Sequence, residues 1–321
     1  MQFNPVYVNA AEYQEMLRYP STAPACADGT SAIVVDLNGM QLRGQVALPH
    51  TVTIGVNGSS DSVDLVANSQ SVLDDLIAQV HKAPEAAALL MQVLRHNTTA
   101  SIREGLLVES LAYSTLQHGY TFTQWLSTHT PSDWSPADAA ADVVQTIRQD
   151  NVLTITLNRP EKHNALNHQM RSELLEALEV ATLDPSVERV ELQGAGPSFS
   201  SGGDLDEFGL ARDATRAHLA RMAQYAGEQL ANLKCHTHAH LKGACMGAGI
   251  EIPAFASHIT AAPDVQISLP EFGYGLIPGA GGTVSVLRRI GRQACAELAL
   301  TGRIVGAEEA AAIGLIDQIS D

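Results

Sequence analysis

Residues 242–255 read KGACMGAGIEIPAF. The first half is small and glycine-rich, the second half is apolar, and the only acid in the run is Glu251. No salt partner stands nearby in sequence, and a carboxylate is costly to bury unless something pairs with it or hydrogen-bonds to it. The residues just before Glu251 suggest what the charge is for. Gly247, Ala248 and Gly249 leave the main chain uncovered, where the strand-like THAHLKG gives way to a helix start. The first N–H groups of a helix lack internal partners and lie at the positive end of its dipole, so a negative oxygen placed there gains hydrogen bonds. Pro253 is tolerated in a first turn, which puts the helix start near Gly249 or Ile250.

Two other stretches share this texture. PSFSSGGDLDEF, residues 197–208, is a glycine turn running into a helix start, with Asp204 as the expected cap and the Gly203 N–H free to face the same spot. ISLPEFGYGLIPGAGGT, residues 267–283, places Glu271 between an alternating strand and a glycine-rich loop. Each stretch alone reads as an ordinary surface turn, with Glu271 a solvated loop acid. Together they offer two acids in small apolar surroundings and two main-chain donors, at Gly203 and Ala248. Converging donors of that kind form an oxyanion hole, which stabilises an enolate or a tetrahedral intermediate.

The flanking pattern is α/β. NVLTITLN alternates as a strand, and NHQMRSELLEALEVATLD is an amphipathic helix capped by Asn167, with Met170, Leu174, Leu178 and Ala181 inward. RVELQG is a second strand. AHLARMAQYAGEQLANL reads as one helix with Leu219, Met222, Ala226, Leu230 and Leu233 on its buried face. HITAAPDVQISLPE supplies two short strands, and helices follow. Strands alternating with helices make an α/β domain, assigned to residues 146–321. Before it, residues 1–68 form a mixed piece with strands at SAIVVDLNG and HTVTIGVNG, each ended by Asn-Gly. Residues 69–145 form a helical extension. It begins at a Ser71 cap with Val72, Leu76 and Val80 inward, continues through EAAALLMQVLRH and REGLLVESLAYSTLQ, and ends in the linker THTPSDWSPADAA from Thr128.

The chain has 321 residues, 45% of them hydrophobic and 17% charged, which fits a folded globular protein. With 19 basic and 35 acidic residues the net charge is −16, so a nucleic-acid or anionic-membrane partner is not expected. An anionic small ligand requires a locally positive pocket. The N-terminus lacks a basic start followed by an apolar core, no apolar run is long enough to span a bilayer, and the four cysteines form no CxxC pair. The expectation is a cytoplasmic protein with reduced thiols.

NRPEKHNALN, FSSGGDLDEF, GACMGAGIE, LPEFGYGLIPGAGGT and ALTGRIVGAEEAAAIGLID, in that order, resemble the enoyl-CoA hydratase/isomerase (crotonase) family from about residue 151 onward. The resemblance implies a superhelix of ββα units, here with a mainly helical N-terminal extension. It implies that the N–H groups of Gly203 and Ala248 bind the thioester oxygen. Glu251 would then take a proton from the attacking water and Glu271 deliver one to the α-carbon. It places Arg159, Lys162, His163, Ala165, Asp204, Leu205, Gly247 and Gly279 among the substrate-binding residues, with the basic NRPEKHNAL segment against the CoA nucleotide. No cofactor beyond the CoA of the substrate and no metal is implied. A homo-oligomer is implied, a trimer or dimer of trimers, with a place in fatty-acid metabolism.

Other readings compete. The family continues past GLID with helices that cover the acyl pocket, and residues 69–128 are expected to replace that cover. A helical N-terminal extension also occurs in the family's cofactor-independent dioxygenase, which makes oxygenation the second enzymatic reading, with isomerase and hydrolase chemistry behind it. CHTHAH puts His236, His238 and His240 on one strand face near Cys245, a spacing that can ligate zinc, although a polar sheet face explains it as well. A non-catalytic scaffold would have no need of both acids.

Overall fold

The computed structural model describes residues 2–39, 48–130 and 142–320. The reading of a linker after Thr128 falls largely on residues 131–141, outside the described residues. The chain starts with β1 (Asn4–Asn9), α1 (Ala10–Arg18), β2 (Thr30–Asp36), β3 (Val52–Val56) and β4 (Leu65–Ala67). These strands form a parallel sheet in the order β1-β2-β3-β4. Six of the seven β2 residues are buried, the near-continuous apolar run of a strand covered on both faces.

Four helices follow: α2 (Gln70–Lys82), α3 (Pro84–Asn97), α4 (Ile102–Leu116) and α5 (Tyr120–Thr128). The cap of α2 is Ser69, not Ser71: the Ser69 hydroxyl accepts from the Val72 N–H at 3.3 Å. The inward stripe shifts with it, to Leu73, Leu76 and Val80, and Val72 is exposed. Ser101 and Glu104 form a capping box at the start of α4.

The remainder comprises β5 (Val144–Gln149), β6 (Val152–Leu157), α6 (His168–Leu183), β7 (Arg189–Gly194), α7 (Ala214–Ala223), α8 (Ala226–Asn232), β8 (His236–Leu241), β9 (Ala244–Met246) and α9 (Ala248–Glu251). Then come β10 (His258–Ala261), β11 (Gln266–Ser268), α10 (Gly282–Ile290), α11 (Arg292–Thr301), α12 (Ala307–Ala312) and β12 (Gln318–Ile319). One sheet runs β12-β10-β8-β7-β6-β5, parallel except for the β5–β6 hairpin, and β9 pairs with β11 in a separate parallel ribbon. The single helix expected over residues 217–233 is broken into α7 and α8, and Leu219 is 61% exposed. The break turns Tyr225 inward, where its hydroxyl reaches the Leu106 carbonyl and Glu109. Pro253 begins a separate 3-10 turn, and the helix before it starts at Ala248.

The N-terminal sheet, the extension and the C-terminal helices meet at Asp64, which is 1% exposed. Its carboxylate accepts from the N–H and hydroxyl of Thr53, from Arg95 of α3 and from Arg292 of α11. Removing one partner of such a buried pair strands the others, so Asp64→Ala is expected to lower unfolding free energy by about 3–5 kcal/mol. Urea denaturation checks this, and a loss below about 1 kcal/mol would leave the junction without the role given to it.

Candidate active site

The two glycine turns do bring their free N–H groups to one cavity. Around Gly203, the Leu166 N–H donates to the Gly202 carbonyl at 2.7 Å and the Asp204 N–H to the Leu166 carbonyl at 3.2 Å. Both neighbours are pinned to Leu166, and the Gly203 N–H between them has no acceptor among the described residues. In the other turn the Gly247 N–H donates to the Ser268 carbonyl, and the Gly247 carbonyl accepts from Ile250 and Glu251. The Ala248 N–H, at the first position of α9, is likewise unbonded among the described residues. Gly203, Ala248, Glu251 and Glu271 all line a cavity of about 260 Å³. Gly247 has φ +49°, and a Cβ there would overlap the Glu271 carboxyl, so the position demands glycine twice over.

Glu251 is 1% exposed and Glu271 8%. Glu251 Oε2 accepts from the N–H groups of Ala280 and Gly282 at 2.8 and 2.7 Å. Glu271 Oε2 is buried without a hydrogen-bond partner. The two carboxyls are close enough to hydrogen-bond to each other. Burial first, and for Glu251 the charge of Glu271 next, pushes both above the ordinary carboxylate range. Two coupled carboxyls lose their protons in separate steps, and between those steps the pair holds one proton. It therefore contains an acid and a base at once.

A third acid enters from the extension. Glu109 of α4 is fully buried. Its carboxyl accepts from the Gly281 N–H at 2.8 Å, from the Thr283 N–H at 3.0 Å and from the Thr283 hydroxyl at 2.7 Å. Asn97 of α3 donates to the same hydroxyl at 2.9 Å, which directs the Thr283 proton toward Glu109. The four successive N–H groups of residues 280–283 thus alternate between Glu251 and Glu109. Burial, and then the charge of Glu251, pushes the Glu109 carboxyl up to about 8. Tyr113, one turn further along α4, lies against Gly279, where a Cβ would overlap its ring. Sequence reading missed Glu109. The signal was there in GLLVESLAYS, where an acid stands on the same stripe as the buried Leu106 and Tyr113.

Of the expected binding residues, Asp204 and Gly279 line the cavity together with Tyr113, Phe208, Arg171 and Arg221. Arg159 does not supply surface charge: it is buried, its Nη1 bound to Asp204 Oδ2 at 3.0 Å and to the Ala165 carbonyl at 2.6 Å. It pins the Gly203 turn to the NRPEKHNAL loop. Asn164 completes that loop, donating to the carbonyls of Ala195, Ser198 and Phe199. Lys162 lies 3.4 Å from Asp206, and His163 Nδ1 lies 3.0 Å from Ser198 Oγ. Ala165 and Leu205 flank the Gly203 turn without lining the cavity. The histidines of β8 do share a face, but without Cys245, which is buried on β9 in the other sheet. His240 Nε2 lies 2.5 Å and His238 Nδ1 3.3 Å from Glu191 Oε2 on β7, and the ligand atoms of the three lie within 4.8 Å of one another, an arrangement open to a metal ion as well as to a polar sheet face.

The sequence model of one family, described as Enoyl-CoA hydratase/isomerase, matches residues 147–320. The chain is 32% identical over 172 residues to a 2,3-dehydroadipyl-CoA hydratase of Escherichia coli (strain K12), covering 54% of this chain and 67% of that one. It is 34% identical over 174 residues to a probable enoyl-CoA hydratase of Rhizobium meliloti (strain 1021), covering 53% and 66%. The chain thus spans about two-thirds of the length of these relatives. Among solved structures, an enoyl-CoA hydratase from Thermoplasma volcanium GSS1 aligns with TM-score 0.53 and 32% identity, over 56% of this chain and 72% of that one. These likenesses confirm the α/β fold expected from the alternation of strands and helices and from the family resemblance.

Glu109→Ala removes the acceptor for two buried N–H groups and the Thr283 hydroxyl, each worth about 1–3 kcal/mol when left unsatisfied, while the Tyr225 hydroxyl keeps the Leu106 carbonyl. The variant is expected to lose at least about 2 kcal/mol of stability in urea unfolding. Unchanged stability would mean that Glu109 does not hold the glycine loop.

Proposed function

The chain belongs to the enoyl-CoA hydratase/isomerase family, and from that premise we propose that it adds water to, and removes it from, a 2-enoyl-CoA thioester. The observation that supports this most is the presence in one cavity of two unbonded main-chain N–H groups and two buried carboxyls. The thioester oxygen takes the N–H groups of Gly203 and Ala248. Glu251, as base, takes a proton from water while the water oxygen attacks the β-carbon. The π electrons move toward the carbonyl, and the enolate that forms is held by the two donors. Glu271 then delivers its proton to the α-carbon from the same side, giving syn addition. The proton gained by Glu251 passes to Glu271 through their mutual hydrogen bond, which restores the starting state. Dehydration runs the same steps backward.

The buried acid pair favours water chemistry over oxygenation, which has no use for two carboxyls at the reacting carbons. The absence of any helix long and apolar enough to cross a membrane, among the described residues, agrees with a substrate taken from solution. We place the CoA nucleotide beside Lys162 and His163, with Arg159 serving as the strut beneath. No cofactor beyond the CoA of the substrate, a cytoplasmic setting and a homo-oligomer of trimeric type complete the proposal.

Glu271→Gln should lower kcat for the best enoyl-CoA by ~10²–10⁴-fold in a hydration assay. Glu251→Gln should do the same. If either variant hydrates at the wild-type rate, its assigned role is wrong. The reaction needs one proton on the pair, so kcat should fall at low pH, when both carboxyls are protonated, and at high pH, when neither is. Since both groups are shifted upward, the bell should stand above the ordinary carboxyl value of 4.5. A kcat maximum below that value would contradict the assignment.

A further inference from the structure

Arg221 of α7 lines the cavity, and no carboxylate among the described residues pairs with it. Every partner it has is neutral and comes from α4 or the residue just after it. Nη1 donates to the Ser110 carbonyl at 3.3 Å, the Ser110 hydroxyl at 3.2 Å and the Ser114 hydroxyl at 2.8 Å. Nη2 donates to Gln117 Oε1 at 3.1 Å, and the guanidinium lies 4.3 Å from the centre of the Tyr113 ring. His218 Nδ1 stands 2.9 Å from the Ser110 hydroxyl, which fixes that group further. Arg171, the other guanidinium of the cavity, is by contrast ion-paired with Glu207 at 2.8 Å. The charge of Arg221 is held in place and left uncompensated.

Its donors are not used up. The Nε–H and one of the two Nη2 N–H groups have no acceptor among the described residues. These adjoining nitrogens carry the parallel N–H bonds that a carboxylate grips in a two-pronged fashion. Tyr113 connects this point to the chemistry, because its ring touches Gly279 beside the acid pair and carries Arg221 over its face. Ala217, Ala220 and Ala226, small and apolar, line the same cavity, which leaves room for an acyl chain.

We propose that Arg221 is the receptor for a carboxylate at the far end of the acyl chain, so that the substrates are mono-CoA thioesters of short unsaturated dicarboxylic acids. This rests on the reading of the cavity as an enoyl-CoA site. It adds that the N-terminal extension, through Ser110, Tyr113, Ser114 and Gln117, sets the acyl specificity.

The test uses the full chain and two matched pairs of thioesters. Hexanoyl-CoA and adipoyl-CoA are saturated, cannot be hydrated, and differ at the chain end by one carboxylate; their binding is measured by isothermal titration calorimetry. The wild type should bind adipoyl-CoA at least about tenfold more tightly, the gain of a charge-assisted fork. That preference should shrink toward unity in Arg221→Met and be partly kept in Arg221→Lys. In the hydration assay, trans-2-hexenedioyl-CoA should show a correspondingly higher kcat/KM than trans-2-hexenoyl-CoA. Equal or weaker wild-type binding of adipoyl-CoA overturns the proposal and needs no variant to fold. Equal weakening of free CoA and both thioesters in Arg221→Met also overturns it, because Arg221 would then serve a CoA phosphate. Hydration of hexenoyl-CoA with no dicarboxylate preference removes this inference and leaves the hydratase intact. Preferential binding of adipoyl-CoA without turnover of either enoyl thioester upholds the carboxylate receptor and removes the hydratase.

Discussion

Four consecutive main-chain N–H groups, from Ala280 to Thr283, hold two buried carboxylates, and the rest of the site is arranged around that constraint. Those donors lower the cost of burying both acids, and burial still raises the two carboxyls above the ordinary range. The glycines of the loop let the backbone come close enough to serve both. One consequence is that Glu251 is not free to turn away from the cavity: one oxygen is fixed by the loop, and the other faces Glu271. A second is that the loop is held from two sides, by the strand-to-helix turn that carries Glu251 and by a helix far earlier in the sequence.

That earlier helix makes the extension part of the site. Helix α4 packs against α7 and α10, α3 packs against α10 and α11, and Tyr113 and Gln117 line the cavity wall. The charge balance follows the same division. The chain as a whole is strongly acidic, yet the cavity wall presents Arg221 on a framework of neutral hydroxyl and amide groups. Net charge, which argues against polyanionic partners, says nothing about a pocket whose local field is set by one guanidinium and a few serines.

How much of this could be read from the chain alone depended on whether the signal was local. Glycine turns next to lone acids in apolar runs announced Glu251, Glu271 and the donors at Gly203 and Ala248, because the backbone exposure and the missing salt partner are both visible within a dozen residues. The alternating strands and helices and the Asn167 cap were legible for the same reason. Arg159 was misjudged because a basic residue in a polar loop looks the same whether it faces solvent or a carboxylate 45 positions away. The α2 cap was placed two residues late because two serines flank the same start, and only packing on the core selects Leu73 over Val72. The break between α7 and α8 follows from Tyr225 turning inward, a contact with a helix more than a hundred residues distant. Glu109 belongs to that class too, since its partners are 172 and 174 positions away.

The separation between Glu109 with its neighbours and the loop they serve has a bearing on how such a protein can change over generations. On the proposed reading the bond-making groups reside in one segment, and much of the wall that would meet the acyl tail resides in a different one. Drift at Ser110, Ser114 or Gln117 could retune what is accepted while the reaction machinery stays as it is. Glu109 and Thr283, by contrast, are locked to each other, and neither can be exchanged without a matching change in its distant counterpart.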